Sequence, residues 1–183
     1  MATHGRESIR TLLVATALTT TLLTSGCASD QPPRAALDEM ITTVDETFPD
    51  VDTISTGELA SWLGDASRPA PQLLDAREAP EYAVSRIPGA IRVDPGSDVA
   101  TLAAMLDPDR PVVIYCSVGY RSSELAQRLA DHTGLSPQNL TGSIFKWANE
   151  GRPLENTAGA AQHVHPYNDY FGRMLLPSLR HEP

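Results

Sequence analysis

Covalent chemistry in this sequence points to the stretch Cys116-Ser117-Val118-Gly119-Tyr120-Arg121-Ser122-Ser123. Before it stand Val112-Val113-Ile114-Tyr115, too few apolar residues for a helix and right for a buried strand. After it, Glu124-Leu125-Ala126-Gln127-Arg128-Leu129-Ala130 reads as a helix with Leu125, Ala126 and Leu129 on one face. A strand, a tight loop and a helix would put Cys116 at the carboxyl end of a strand and beside the positive end of a helix dipole. There α/β folds place ligands, and backbone N–H groups can hold an anion. A thiolate in that place has a depressed pKa and is a competent nucleophile. The competing reading is an inert small hydrophobe, the default for a free cysteine. Gly119, Arg121, Ser122 and Ser123 decide for the first: they make poor core neighbours and a good anion cradle.

The elements that must position this loop follow from the chain in order. Leu37, Met40, Ile41, Val44 and Phe48 recur at helical spacing and predict one amphipathic helix over 33–47, packed on the domain. Residues 51–55 read as a short strand. Thr56-Gly57-Glu58-Leu59 opens a helix through Leu63, with Ser55 or Thr56 as cap. Gln72-Leu73-Leu74-Asp75-Ala76 is a second strand, and Pro80 begins a short helix through Val84. A strand over 90–93, a helix over 97–106 capped by Ser97, the central strand, a helix over 122–132, a strand near Asn139-Leu140 and a helix over 142–148 complete the series. Strands alternate with helices, so the fold expected is α/β, with a mostly parallel central sheet flanked by helices on both faces.

At 183 residues the chain suffices for one domain with appendages. Its formal charge is −9, with Lys146 the only lysine among 14 basic residues. That balance argues against nucleic acid and against electrostatic capture by anionic lipid. Plain solubility accounts for the acidity better than a cationic partner.

Residues 1–26 read as an export signal. Arg6 and Arg10 give a basic start, and Leu12–Leu18 with Leu22-Leu23 a short apolar segment. Thr24-Ser25-Gly26-Cys27 resembles the lipobox of bacterial lipoproteins, with Thr24 where that pattern has leucine. The resemblance implies cleavage before Cys27, diacylation of its sulfur and anchoring at the outer face of the cytoplasmic membrane. An ordinary cleaved signal, an uncleaved anchor and a Cys27–Cys116 disulfide are the alternatives. Residues 27–50 then hold tether and helix, 51–155 the domain, and 156–183 a tail. In the tail Tyr167, Tyr170, Phe171, Met174 and Leu175 fall at helical spacing, as a helix across the domain or a docking surface. His163, His165 and Asp169 lie close in sequence, but no further ligand set recurs nearby, which argues against a metal site.

From about Ile54 to Pro153 the chain resembles the rhodanese homology domain. Leu73-Leu74-Asp75-Ala76-Arg77-Glu78 with Glu81-Tyr82 is similar to the family's first motif, and Arg86-Ile87-Pro88-Gly89-Ala90 to its second. Tyr115-Cys116 to Arg121-Ser122 is similar to its active-site loop, and Gly142 to Trp147 with Gly151-Arg152-Pro153 to its closing motif. Four weak signatures in order and spacing make a strong one. The resemblance implies a sulfurtransferase that needs no cofactor and no metal. Cys116 would take the outer sulfur of thiosulfate or another small donor as a persulfide, and a thiol or cyanide would remove it. Amides from Ser117, Val118, Gly119, Tyr120, Arg121 and Ser122 would stabilise the anion. Arg121 would hold a donor oxyanion or brace the loop. Asp75 and Arg77, ending a neighbouring strand, would line the same rim, or Arg77 would form a structural ion pair with Glu78 or Glu81.

The sequence departs from the family at Arg86, where histidine is common, and at Ser117, where many thiosulfate-active members carry a basic or amide residue. Two other readings remain. Phosphatase and arsenate-reductase loops resemble Cys-x5-Arg, whereas Cys116 and Arg121 enclose one residue fewer. A non-catalytic binding module on the same fold would not need the cysteine.

Overall fold

The computed structural model describes residues 34–182 together with Met1, so the export-signal and Cys27 readings lie outside the described residues. The chain enters through α1 (Arg34–Thr47). Leu37 and Val44 on its apolar face and Phe48 just past its end are buried, with Met40 and Ile41 packed beside them. β1 (Thr53–Ile54) leads into α2 (Thr56–Leu63). Ser55 caps α2, accepting from the Glu58 amide, while the Glu58 carboxylate accepts from the Ser55 amide at 3.0 Å. β2 (Gln72–Asp75), α3 (Ala79–Val84), β3 (Ile91–Arg92), α4 (Val99–Met105), β4 (Val112–Tyr115), α5 (Tyr120–Thr133), β5 (Gln138–Leu140) and α6 (Ser143–Asn149) follow.

Five strands form one sheet in the order β1-β5-β4-β2-β3, and every pair in it is parallel. β4 lies at the centre, with all four residues buried. Val113 and Tyr115 face one half of the core with Leu73, Trp62, Ile144, Phe145 and Trp147. Ile114 and Cys116 face the other, with Leu74, Leu102, Leu125 and Leu129. This is the two-residue alternation of a strand covered on both faces.

Three expectations are corrected. α4 is capped by Asp98, not Ser97: the Asp98 carboxylate accepts from the Thr101 amide at 2.9 Å. α5 starts at Tyr120, so Tyr120 and Arg121 belong to its first turn rather than to the loop. The stretch after Pro153 begins as an antiparallel hairpin, β6 (Leu154–Asn156) with β7 (Gly159–Ala161). It is tied to the domain where the Arg86 amide donates to the Glu155 carbonyl at 2.8 Å. The tail then carries one short helix, α7 (Asp169–Gly172), and a 3-10 turn over Pro177–Leu179.

Candidate active site

The chain reverses within four residues after β4. Gly119 makes the turn at φ 119°, and its amide donates back to Cys116 Sγ at 3.2 Å. A Cβ on Gly119 would stand 3.3 Å from Asn139 Nδ2, so both backbone angle and space call for glycine. The loop's carbonyls are satisfied by the start of α6: the Ile144 amide donates to Cys116 O at 3.2 Å and the Phe145 amide to Ser117 O at 3.1 Å. Cys116 N–H donates to Ser143 Oγ at 3.1 Å, and Ser143 itself sits at φ 51° after Gly142 at φ 68°. Ser122 Oγ donates to Asn139 Oδ1 at 2.7 Å, tying α5 to β5.

Cys116 is 1% exposed. Burial pushes its thiol up. The charge of Arg121, the hydroxyl and amide of Ser122 and the amide of Gly119 outweigh burial and hold the thiol below its usual range. The site at the amino end of α5 thus eases ionisation of the sulfur.

Arg121 is braced from α3 and from the loop itself. Its Nη1 and Nη2 donate to Glu81 Oε2 and Oε1, both at 2.9 Å, and Nη2 also donates to Ser117 Oγ at 2.9 Å. Ser117 Oγ donates in turn to Glu81 Oε1 at 2.8 Å. Glu81, on α3, also accepts from the Glu78 amide at 3.0 Å. Burial pushes the Glu81 carboxyl up, but these donors prevail and hold it below the usual carboxylate range. The Tyr167 ring covers the Arg121 guanidinium at 4.8 Å.

The structure thus brings Gly119, Arg121 and Ser122 to the sulfur. Ser117 turns to Glu81, Val118 joins the core, and Tyr120 lies half-exposed with its ring 5.1 Å from Phe48. Asp75 and Arg77 are corrected: they do not line the rim. Asp75 pairs in register with Tyr115, so its side chain shares the face opposite Cys116. Arg77 Nε and Nη2 donate to Asp75 at 2.8 and 2.7 Å, with both side chains wholly buried. Tyr115 OH donates to Asp75 Oδ2 at 2.8 Å and accepts from the Ile87 amide at 3.1 Å. Arg77 is a structural residue, but its partner is Asp75 rather than Glu78 or Glu81. Sequence reasoning passed over Glu81, Asn139, Ser143 and Tyr167 as supports of the loop. Glu81 and Ser143 stood inside recognised motifs, while nothing in the sequence joins Tyr167 to Arg121.

The Rhodanese-like domain family model matches residues 55–150, just over half of the chain. The chain is 33% identical over 87 residues to an HTH-type transcriptional regulator of Mycobacterium tuberculosis, across 47% of this chain and only 38% of that protein. It is 34% identical over 82 residues to a sulfurtransferase of Allochromatium vinosum, across 45% of this chain and 76% of the other. The crystal structure of a rhodanese-like domain protein from Staphylococcus aureus superposes with a TM-score of 0.51 at 25% identity, across 58% of this chain and 99% of that one.

Proposed function

The chain belongs to the rhodanese-like domain family, and on that premise we propose that it is a sulfurtransferase working through a persulfide on Cys116. The Cys116 thiolate attacks the outer sulfur of thiosulfate or another donor. The donor's S–S bond breaks, the remainder leaves with the electron pair, and a new S–S bond joins the sulfur to Sγ. A second nucleophile, a thiol or cyanide, then attacks that outer sulfur and releases the thiolate. The observation that carries this reading is the Cys116 sulfur itself. It accepts from Gly119 at 3.2 Å, and Arg121, Ser122 and Gly119 hold its thiol below the usual range. The same donors serve the persulfide anion. Phosphoester chemistry is less well served, because Cys116 and Arg121 enclose one residue fewer than a Cys-x5-Arg loop. The test is intact-mass spectrometry after exposure to a sulfur donor. One added sulfur atom on Cys116, absent in Cys116→Ser, supports the reading. No adduct, or equal turnover in Cys116→Ser, ends it and favours a binding module.

The proposal extends to location. The sequence Thr24-Ser25-Gly26-Cys27 behind a basic and apolar start supports export and a diacylglyceryl anchor on Cys27. Two acyl chains at ~0.8 kcal/mol per buried CH₂ give stable anchoring without a transmembrane helix. Cys27 would then be blocked, and the Cys116 persulfide would need an external acceptor. Cys27→Ser should move the protein out of the membrane fraction or leave an unprocessed precursor. A soluble mature form with a Cys27–Cys116 disulfide would overturn this.

A further inference from the structure

Among the described residues, two that are not glycine hold a left-handed backbone, Ser143 at φ 51° and Tyr167 at φ 65°. A tyrosine keeps that conformation only where its surroundings impose it, and such residues gather at functional sites. Both meet the Cys116 loop. Ser143 Oγ accepts from the Cys116 amide at 3.1 Å, and the Arg121 guanidinium lies over the Tyr167 ring, 4.8 Å from its centroid. Ser143 falls within the stretch that the family model matches, and Tyr167 lies beyond it. The turn that aims Tyr167 is built by its neighbours. Tyr167 N–H donates to His165 Nδ1 at 3.0 Å, and Asn168 N–H donates to Pro166 O at 2.8 Å. Asn168 Oδ1 accepts from the Phe171 amide at 3.0 Å, and the Phe171 ring meets the Tyr167 ring edge to face at 5.6 Å.

We infer that Tyr167 is a positioning residue for sulfur transfer: from a tail outside the family domain, its ring holds the Arg121 guanidinium in place beside Cys116. The inference rests on the sulfurtransferase reading and adds a residue to it. Arg121 acts on the sulfur by its charge and by a hydrogen bond. Glu81 from α3 and Ser117 from the loop accept from its terminal nitrogens. Those bonds run along N–H directions, so they fix the guanidinium edgewise and resist tilting out of its plane only weakly. The ring adds that restraint through its attraction for a cation. It also limits hydration. The Arg121 side chain is 22% exposed and Tyr167 is 42% exposed, which puts the ring on the solvent side of the cation. A guanidinium that tilts away or gains water acts less on the sulfur.

The test follows alkylation of Cys116 by iodoacetamide against pH on the purified protein. Tyr167→Leu keeps an apolar cover without a π face, and Tyr167→Gly removes the ring while suiting φ 65°. In both, the midpoint should rise by roughly half a pH unit, and alkylation well below it should slow roughly threefold. The deficit should vanish above the midpoint, where the sulfur is ionised in every variant. Tyr167→Phe keeps the ring and should restore the native midpoint. A ring that acts through Arg121 needs Arg121, so Tyr167→Leu should add nothing in an Arg121→Ala background. Urea unfolding of Tyr167→Gly separates packing from positioning. Native-like stability with a raised midpoint supports the inference, and lost stability with an unmoved midpoint overturns it. Unmoved midpoints in both Tyr167→Leu and Tyr167→Gly, or a full shift that persists without Arg121, would also overturn it while leaving sulfur transfer intact. Intact mass after exposure to thiosulfate and to polysulfide reads the reaction itself. A native protein that gains sulfur from neither would overturn sulfur transfer, and the part of Tyr167 in it.

Discussion

Cys116 meets two opposed forces, and their balance can be measured. Burial alone would leave an inert thiol. Arg121, Ser122 and Gly119 reverse that. The rate of alkylation by iodoacetamide should therefore rise with a midpoint below the ~8.5 of a free thiol. Arg121→Ala should move that midpoint up, since the cation is lost. The same substitution strands the buried Glu81 carboxylate and should cost about 3 kcal/mol in urea unfolding. An unmoved midpoint would show that Arg121 does not act on the sulfur. The sign for stability follows from linkage. A thiol whose folded pKa lies below its unfolded value contributes stability that is full above the unfolded value, ~8.5, and lost as pH falls through the folded one. The stability difference between the native protein and Cys116→Ser should thus grow in favour of the native protein as pH rises through that interval.

Two helices, α5 and α6, start at left-handed glycines and together close the loop. Gly119 turns its amide onto the sulfur, and Gly142 aims the first amides of α6 at the loop carbonyls. Gly119→Ala should cost about 2 kcal/mol, from the positive φ and the contact with Asn139. It should also raise the alkylation midpoint, because the N–H that faces Sγ shifts; a stable variant with an unchanged midpoint would contradict that role. Much of this arrangement was legible at the element scale. β2 and β4 stand out as short apolar runs between turns, α2 by its capping box, and the loop by a cysteine and an arginine between strand and helix. The start of α4 was misplaced by one residue, because Ser97 and Asp98 are both good caps and only packing chooses. The hairpin β6–β7 was not legible: three-residue strands give no alternation to count. Ion pairing was not legible. Arg77 was expected to take Glu78 or Glu81 and takes Asp75, two positions before it at the same strand end. That Glu81 takes Arg121, 40 positions away, follows only from how α3 lies against α5.

Beyond residues 55–150, where the family model matches, both ends of the described chain return to the Cys116 end of the sheet. From one side α1 brings Val44 to Gly119, Ile41 to Gly142 and Phe48 to Tyr120. From the other, the tail after β7 lays Tyr167 on Arg121 and buries Val164, Met174 and Leu175. Asn149 fastens that tail to α6: its amide donates to Met174 O at 2.7 Å, and its carbonyl accepts from the Leu176 amide at 2.9 Å. Removing residues 162–183 should therefore do two separable things. Each buried apolar side chain contributes about 1.5–3 kcal/mol, so the loss of stability should reach several kcal/mol in urea unfolding. The five-stranded sheet and the Cys116 loop lie wholly before the cut, so the far-UV spectrum of an α/β domain should persist at low temperature. Loss of the Tyr167 ring from the Arg121 guanidinium should also move the alkylation midpoint of Cys116, since Arg121 acts on the sulfur. A truncated chain as stable as the native one would mean that the tail does not dock. A destabilised chain with an unchanged alkylation midpoint would mean that it docks for stability alone.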